Sequence, residues 1–321
     1  MNKEQSIGGY FELEINDLGS LYHNNAAALN TGRNALEHIL NCKRYTHVYI
    51  PYFTCDVILE PFKNTDTPYT FYYVNEEFLP DISEISSNEA LLYINYFGLM
   101  KGNICFLKEK FNNVIIDNSQ AFYDMPFPNI PTFYSPRKFF GLPDGGFVYH
   151  ACEISSKNYP RDVSFERCNH LIKSIELNKE MSYDEFKSND ASLINQPIKQ
   201  MSFLTKKILK GIDFEKIKTV RIANFNYLHQ HLRNTNLLTP FIEKANYACP
   251  MVYPYLANNN ETLRMHLINN KVFTPKYWSN VINWVKINAF EFELTQNTIH
   301  LPIDQRYNEK ELKSIIKLIL K

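Results

Sequence analysis

Short β-rich runs, separated by helical or loop segments, constrain the fold of this chain most strongly. The runs comprise residues 47–50, 69–74, 90–96, Val114–Asp117 and 147–149. Between them, residues 33–42 place Leu36, Ile39 and Leu40 on one helical face. Alternation of strands and helices predicts a largely parallel sheet with helices on its faces. The predicted fold class is therefore α/β.

The length of 321 residues suits one large α/β domain followed by a smaller one. We predict a large domain over residues 1–205 and a small C-terminal domain over residues 206–321. Residues from about 152 to 197 are polar and give no clear assignment. A long helix predicted over residues 213–232 links the domains. Its predicted buried stripe is Ile217, Val220, Asn224, Tyr227 and His231.

The predicted small domain has a strand near residues 251–255, a helix over residues 261–269 and a strand near residues 298–301. A last helix follows, with Asn308 as its N-cap and Glu311 three residues later. Its core-facing residues are predicted to be Leu312, Ile315, Ile316 and Ile319.

The charge balance, the glycine pattern and the lengths of the apolar runs argue against several classes of function. Lysine plus arginine and aspartate plus glutamate both number 34, which argues against broad nonspecific binding to nucleic acid. The 10 glycines form neither a dinucleotide-binding fingerprint nor a P-loop. No apolar run reaches the roughly 18 residues of a membrane span, and no secretion signal begins the chain. We therefore expect a cytoplasmic protein without nucleic-acid or membrane partners.

The six cysteines lie at positions 42, 55, 105, 152, 168 and 249, with no Cys-x-x-Cys pair. This spacing predicts neither a zinc knuckle nor a disulfide framework, so reduced and mostly packed thiols are expected. The nine histidines show no metal-ligand spacing, and we predict no metal site.

Three polar residues indicate the chemistry. Asp117 ends the apolar run Val114–Asp117, Gln120 follows three residues later, and Lys138 lies before a glycine pair. A strand-end carboxylate, a nearby amide and a lysine are what pyridoxal phosphate (PLP) requires. The lysine condenses with its aldehyde, and the carboxylate keeps its ring nitrogen protonated. The alternatives are a helix cap for Asp117, a surface or capping role for Gln120 and a solvated amine for Lys138.

A second candidate element is the helix start at Gly32 and Arg33. Thr31 can cap this helix, and its free N–H groups and positive dipole end suit a phosphate. An ordinary capped helix is the alternative at this position.

These segments resemble those of nucleotide-sugar aminotransferases of the DegT/StrS type, which belong to the aspartate-aminotransferase fold group. The similar segments run in the family's order from about residue 30 to the end, namely residues 31–36, 50–55, 94–98, 116–121 and 299–302. The resemblance implies the PLP-dependent transferase fold type I. It also implies that Gln120 bonds the 3-oxygen of the ring and that Thr31, Gly32, Arg33 and Ser135 hold the phosphate.

The chain departs from the family pattern at four places. Cys55 stands where the family has an aromatic ring that stacks on the cofactor, with Tyr52 or Phe53 as a candidate replacement. Asn95 replaces a histidine, and Phe133 replaces the serine five residues before the lysine. The family's Asn-Tyr-Arg-Met loop, which reaches the partner subunit, has no counterpart over residues 195–202.

The resemblance implies a homodimeric aminotransferase that moves an amino group from a donor, glutamate, to a nucleotide-linked keto sugar for surface polysaccharide synthesis. The alternative is a catalytically reduced relative that serves as a binding or assembly subunit. A PLP-dependent sugar dehydratase is a third hypothesis. Lys138 argues against it, because the dehydratases of this family carry a histidine at the lysine position.

Overall fold

The computed structural model describes residues 7–152, 158–258 and 260–320. Within these residues the larger sheet has seven strands. They are β1 (Ala27–Leu29), β2 (His47–Pro51), β3 (Tyr69–Tyr72), β4 (Glu89–Ile94), β5 (Val114–Asp117), β6 (Thr132–Tyr134) and β7 (Gly146–Tyr149).

The strand order is β1-β7-β6-β5-β4-β2-β3. The strands from β6 to β3 pair in parallel, whereas β7 pairs antiparallel with both β1 and β6. The sequence-based prediction of a mostly parallel sheet is therefore confirmed. Parallel strands present their carboxyl ends at one edge, which is where open α/β sheets bind ligands. Asp117 lies at the end of the central strand β5.

Eleven α-helices lie within the described residues. They are α1 (Gly32–Lys43), α2 (Leu59–Asn64), α3 (Lys101–Lys110), α4 (Asn169–Glu176), α5 (Tyr183–Ser192), α6 (Phe203–Lys210), α7 (Phe214–Leu232), α8 (Thr239–Lys244), α9 (Asn260–Asn269), α10 (Phe290–Asn297) and α11 (Glu309–Ile319).

The C-terminal part has its own antiparallel pair of strands, β8 (Tyr253–Leu256) and β9 (Thr298–Leu301). The helix α11 begins with the predicted capping box of Asn308 and Glu311, and it packs against α7 and α9. Its predicted core residues are buried or packed against the core. The apolar side chains of the two parts form one continuous core, which joins the C-terminal elements to the large sheet.

Of the predicted stripe of α7, Asn224 is buried, Ile217 and Tyr227 are partly buried against the core, and Val220 and His231 lie outside the buried face. The buried residues are Arg221, Asn224, Phe225, Leu228 and Leu232, so only Asn224 belongs to both sets. The polar residues on this buried face have partners that offset the cost of their burial. The side-chain amide of Asn224 donates to the carbonyl oxygens of residues 303, 304 and 307, and the Arg221 guanidinium lies over an aromatic ring.

Candidate active site

A cavity of about 250 Å³ opens at the carboxyl ends of β4 and β5. The seven residues predicted to act on a cofactor all line this cavity, although they come from three separate segments. They are Thr31, Gly32, Arg33, Asp117, Gln120, Ser135 and Lys138. The fold therefore brings together residues that are up to 107 positions apart, counted from Thr31 to Lys138.

Asp117 is buried at the base of the cavity. One carboxylate oxygen accepts a hydrogen bond of 2.7 Å from the backbone N–H of Ser119. Burial raises the pKa of this carboxyl group, and the Lys138 ammonium and the Ser119 hydrogen bonds oppose that shift. A buried carboxylate with few donors stabilises a cation that binds beside it.

Gln120 has a fixed amide orientation. Its Oε1 atom accepts a hydrogen bond of 2.6 Å from the backbone N–H of Phe97. Phe97 adopts a positive φ of 59°, a conformation that is costly for a residue with a large side chain. Because this bond orients the amide, the NH₂ of Gln120 is the group on its other side, and it is a donor only.

Lys138 ends a short 3₁₀ turn, Pro136–Lys138, at the rim of the cavity. Burial raises the pKa of the Cys55 thiol as well as that of Asp117, and the positive charge of Lys138 opposes both shifts. The lysine is thus electrostatically coupled to both the carboxylate and the thiol.

The residue after Lys138 is held by the C-terminal part of the chain. The Arg221 guanidinium lies 4.6 Å from the centre of the Phe139 ring. The side-chain amide of Gln305 donates to the Phe139 carbonyl oxygen over 3.1 Å. These contacts hold the backbone directly after the lysine.

The first turn of α1 offers two backbone donors. The Thr31 hydroxyl accepts the N–H of Asn34 over 3.0 Å, and the Thr31 carbonyl accepts that of Ala35. The amides left in this turn are those of Gly32 and Arg33, because a helix start provides no partners for them. The Arg33 guanidinium pairs with Glu60 at 2.8 Å, so its side chain is already engaged.

Two serine side chains border the same helix start. A Cβ built on Gly32 would lie 3.3 Å from Cβ of Ser135 and 3.7 Å from Oγ of Ser119. Ser135 was predicted from the family resemblance. Ser119 was missed, although its place between Asp117 and Gln120 made it a candidate. Amides and hydroxyls at a helix start form a site suited to an anion.

A close approach between β7 and α1 explains the glycine pair. A Cβ built on Gly146 would lie 2.2 Å from the Thr31 carbonyl oxygen. Gly145 has a φ of 130°, and its N–H bonds to the Asn30 carbonyl. The glycine pair thus allows β7 to pass directly beneath the helix start.

Tyr277 and Trp278 supply aromatic rings to the cavity. From the sequence, Tyr52 or Phe53 was the candidate to replace the cofactor-stacking ring that is absent at Cys55. Neither residue lines the cavity. Tyr52 stacks on Phe71, and the buried Phe53 packs edge-on against Trp278. No local sequence signal linked residues 277 and 278 to the strand ends.

His300 lies in the segment of residues 299–302, one of those that resemble the aminotransferase family. It is fully buried in β9, and its Nδ1 donates to the Pro275 carbonyl oxygen over 3.0 Å. Its ring centre lies 4.1 Å from that of Tyr277. Burial lowers the pKa of His300 to about 3, so the ring is neutral. The histidine therefore positions the segment that carries Tyr277 and Trp278.

Asn95 lies outside the cavity, in a buried network beneath it. Its side-chain NH₂ donates to Asn118 over 3.0 Å and to Asp124 over 2.9 Å. Its oxygen accepts the backbone N–H of Met100 over 2.9 Å. The residue that replaces the family histidine is therefore structural in this chain.

The segment over residues 195–202, which lacks the family's loop motif, packs on the start of α1 in the same chain. The Asn34 side chain donates to the Gln196 carbonyl oxygen over 2.8 Å. The Asn30 side chain donates to that of Pro197 over 3.1 Å.

The expectation of reduced thiols throughout is wrong for one pair. Cys42 at the end of α1 and Cys152 after β7 form a disulfide, with Cα atoms 5.6 Å apart. The pair is 110 residues apart in sequence, and only the packing of α1 on β7 makes them neighbours. Cys55, Cys105, Cys168 and Cys249 are free thiols.

Known structures share the fold of this chain. A DegT/DnrJ/EryC1/StrS aminotransferase from Brucella abortus is 13% identical, with a TM-score of 0.63 over 92% of this chain and 85% of that one. DesV from S. venezuelae, solved with a ketimine intermediate, is 13% identical with a TM-score of 0.63 over 92% and 83%. Sugar aminotransferase CalS13 from Micromonospora echinospora is 12% identical with a TM-score of 0.59 over 92% and 87%.

No protein-family model and no curated protein sequence matches the chain. The structural likeness is therefore one of fold, and that fold is the PLP-dependent transferase fold type I. More particularly, many of the similar structures are sugar aminotransferases of the DegT/DnrJ/EryC1/StrS type. The predicted fold class is confirmed. None of the helices described is both long and apolar enough to cross a membrane.

Proposed function

We propose that this protein is a PLP-dependent sugar aminotransferase. The observation that carries the proposal is the meeting of Asp117, Gln120, Lys138 and the helix start at Gly32 in one cavity. These groups supply a carboxylate, a neutral donor, an amine and two free amides, which is the donor set that PLP requires. The similar structures include PLP and PMP forms of Spr1654 from Streptococcus pneumoniae, which agrees with this cofactor.

Each residue has a distinct role in the proposal. When bound, PLP supplies an electron-withdrawing ring and an aldehyde carbon that exchanges amino groups. Asp117 holds a proton on the ring nitrogen by charge pairing, and the Gln120 NH₂ donates to the ring oxygen. The amides of Gly32 and Arg33, with the hydroxyls of Ser119 and Ser135, hold the phosphate.

Lys138 both retains the cofactor and moves a proton. Free lysine titrates near pH 10.4 and is normally protonated. Lys138 would hold PLP through a covalent link to its amine, and once free of that link the amine would be placed to move the Cα proton of the amino donor. Tyr277 and Trp278 also line the cavity, and their rings would limit the access of water.

The proposed acceptor is a keto sugar linked to a nucleotide. A second cavity, of about 330 Å³, shares Arg137 with the candidate active site. Lys179 and Arg306 also line it, and so does the stacked pair Tyr183 and Phe186. Cationic side chains suit phosphates, and aromatic faces suit a base. The family resemblance alone supplies glutamate as donor, the cytoplasmic setting and the role in surface polysaccharide synthesis.

The proposed assembly is a homodimer. Large apolar side chains are exposed on and beside α4 and α5, which pack against each other. They are Val163, Phe165, Ile172, Ile175, Tyr183 and Phe186. Exposed apolar clusters of this kind mark protein interfaces. Two of these residues, Tyr183 and Phe186, line the second cavity, so a partner chain there would help to enclose the substrate.

The test is the absorption spectrum of the purified protein with PLP. Glutamate alone is expected to convert bound PLP to pyridoxamine phosphate, and a nucleotide-linked keto sugar is expected to convert it back. If PLP binds and no amino donor changes the spectrum, the aminotransferase proposal fails and the reduced relative is favoured. If only the second step fails for every nucleotide sugar, the sugar assignment fails.

A further inference from the structure

A cluster of three metal-ligating side chains lies outside the candidate active site. The ligand atoms of His38, Cys42 and Cys152 all lie within 4.8 Å of one another. His38 is buried, Cys42 is half-buried, and Cys152 is exposed. The proposed aminotransferase chemistry uses none of the three.

Two of the ligands have the separation that a tetrahedral metal requires. His38 and Cys42 are four residues apart on α1 and therefore lie on one helical face. Their Nε2 and Sγ atoms are 3.7 Å apart. Tetrahedral zinc with Zn–S of about 2.3 Å and Zn–N of about 2.0–2.1 Å places such atoms roughly 3.6 Å apart.

The other nitrogen of His38 has the partner that a metal-binding imidazole normally has. Nδ1 lies 2.9 Å from the Tyr159 hydroxyl. With Nδ1–H donating to this oxygen, the lone pair of Nε2 faces the cysteines.

We infer that the reduced chain binds one zinc ion through His38 Nε2 and the Sγ atoms of Cys42 and Cys152, with solvent as the fourth ligand. The disulfide is the oxidised, metal-free form of the same site. Thiol pairs in reducing compartments bind metal more often than they form disulfides.

Reduction of the disulfide to two thiols needs two electrons, and a phosphine supplies them. The phosphine attacks one sulfur and breaks the S–S bond. Water then supplies the oxygen of the phosphine oxide and the protons of the two thiols. Phosphorus is oxidised and sulfur is reduced. Zinc then displaces one proton from each thiol, so binding releases two protons.

The location gives the site a structural consequence. At one end of the contact between α1 and β7, Gly146 touches Thr31. At the other end, Cys42 and Cys152 join α1 to the residues after β7. Metal binding would keep this second link in a reduced chain, where the disulfide is lost.

The experiment is a cobalt(II) titration of the full chain after reduction with a phosphine that is then removed without air. One equivalent is expected to bind with a thiolate-to-cobalt charge-transfer band, and zinc is expected to bleach that band. The unreduced chain should give no band. Cys42→Ser and Cys152→Ser should lose it, and Tyr159→Phe should bind cobalt about 10–100-fold more weakly.

The matched control is Cys105→Ser, which removes an exposed free thiol away from the cluster. It should titrate as the wild type does. The proposal is overturned if the reduced wild type shows no stoichiometric thiolate band, or if Cys42→Ser retains it. Folded Tyr159→Phe protein with wild-type affinity would contradict the role of His38 as a ligand.

Discussion

Gly146 lies against Thr31 so closely that a Cβ on the glycine would come within 2.2 Å of the threonine carbonyl oxygen. Such a separation is far below van der Waals contact, and the neighbouring atom is backbone that cannot rotate away. The contact therefore sets the position of the α1 start, whose free amides are the proposed phosphate donors. It links the glycine pair in the sequence to the chemistry of the site.

Gly146→Ala should therefore weaken PLP binding by at least about tenfold, because α1 or β7 must shift and the Gly32 and Arg33 amides move with them. The measurement is a PLP titration followed by absorbance. Gly102→Ala is the matched control, since Gly102 lies in α3 with nothing within 4 Å of the added atom. Equal PLP affinity in both variants would show that the close approach is unimportant for the site.

Asp117→Asn should bind PLP but lose the half-reaction with glutamate by at least about 100-fold. Without the carboxylate the ring nitrogen loses its proton, and the ring accepts electrons poorly. Stopped-flow absorbance measures the rate. Asp66→Asn changes an exposed carboxylate and should react as the wild type does. A near wild-type rate for Asp117→Asn would reduce Asp117 to a structural residue that caps the Ser119 amide.

Arg137→Gln should impair the reaction with the nucleotide sugar and leave the reaction with glutamate nearly unchanged. Arg137 lines both cavities and pairs with Asp190 at 2.9 Å, and its buried Nε has no hydrogen-bond partner among the described residues. Loss of one phosphate contact should raise KM for the nucleotide sugar roughly 10–100-fold and leave the glutamate half-reaction within about threefold. Arg233→Gln, at an exposed arginine, is the control. An unchanged KM would remove the second cavity from the substrate site.

The stability of the protein should depend on pH through His300. Because the pKa of His300 is about 3 in the folded chain and about 6.5 when unfolded, the unfolded state binds the proton first. Its contribution is complete above pH 6.5 and decreases as the pH falls from there towards 3. Relative to His300→Gln, the wild type should lose about 1.4 kcal/mol of unfolding free energy per pH unit in this window.

Urea unfolding of both proteins at several pH values between 7.5 and 4.5 measures this difference. The buried carboxyl groups are common to both proteins, so their opposing titration cancels. A difference that stays constant with pH would contradict the burial of a neutral His300.

The sequence predicted those parts of the site that depend on local signals. The strand Val114–Asp117 was predicted with its observed bounds, because its apolar residues are buried on both faces of the sheet. Asp117, Gln120 and Lys138 lie within one short stretch that crosses from β5 to β6 and the turn after it. Their proximity could therefore be predicted from one strand pairing and the order of the motifs in the family.

The rest depends on contacts between distant segments. Tyr277 and Trp278 reach the cavity only because His300 and its neighbours pack that loop against the large sheet. The predicted stripe of α7 lies one residue before the buried face, and the burial of Arg221 over Phe139 interrupts the apolar pattern of that face. The pairing of Cys42 with Cys152 has no signal at a separation of 110 residues.

The most direct test of the central claim is borohydride reduction of the protein loaded with PLP, followed by peptide mapping. Reduction fixes the cofactor irreversibly on the lysine that holds it. We expect one pyridoxyl group per chain, on Lys138, and none after Lys138→Ala. A pyridoxyl group on another lysine, or on no lysine, would contradict the assignment of Lys138 and with it the proposed function.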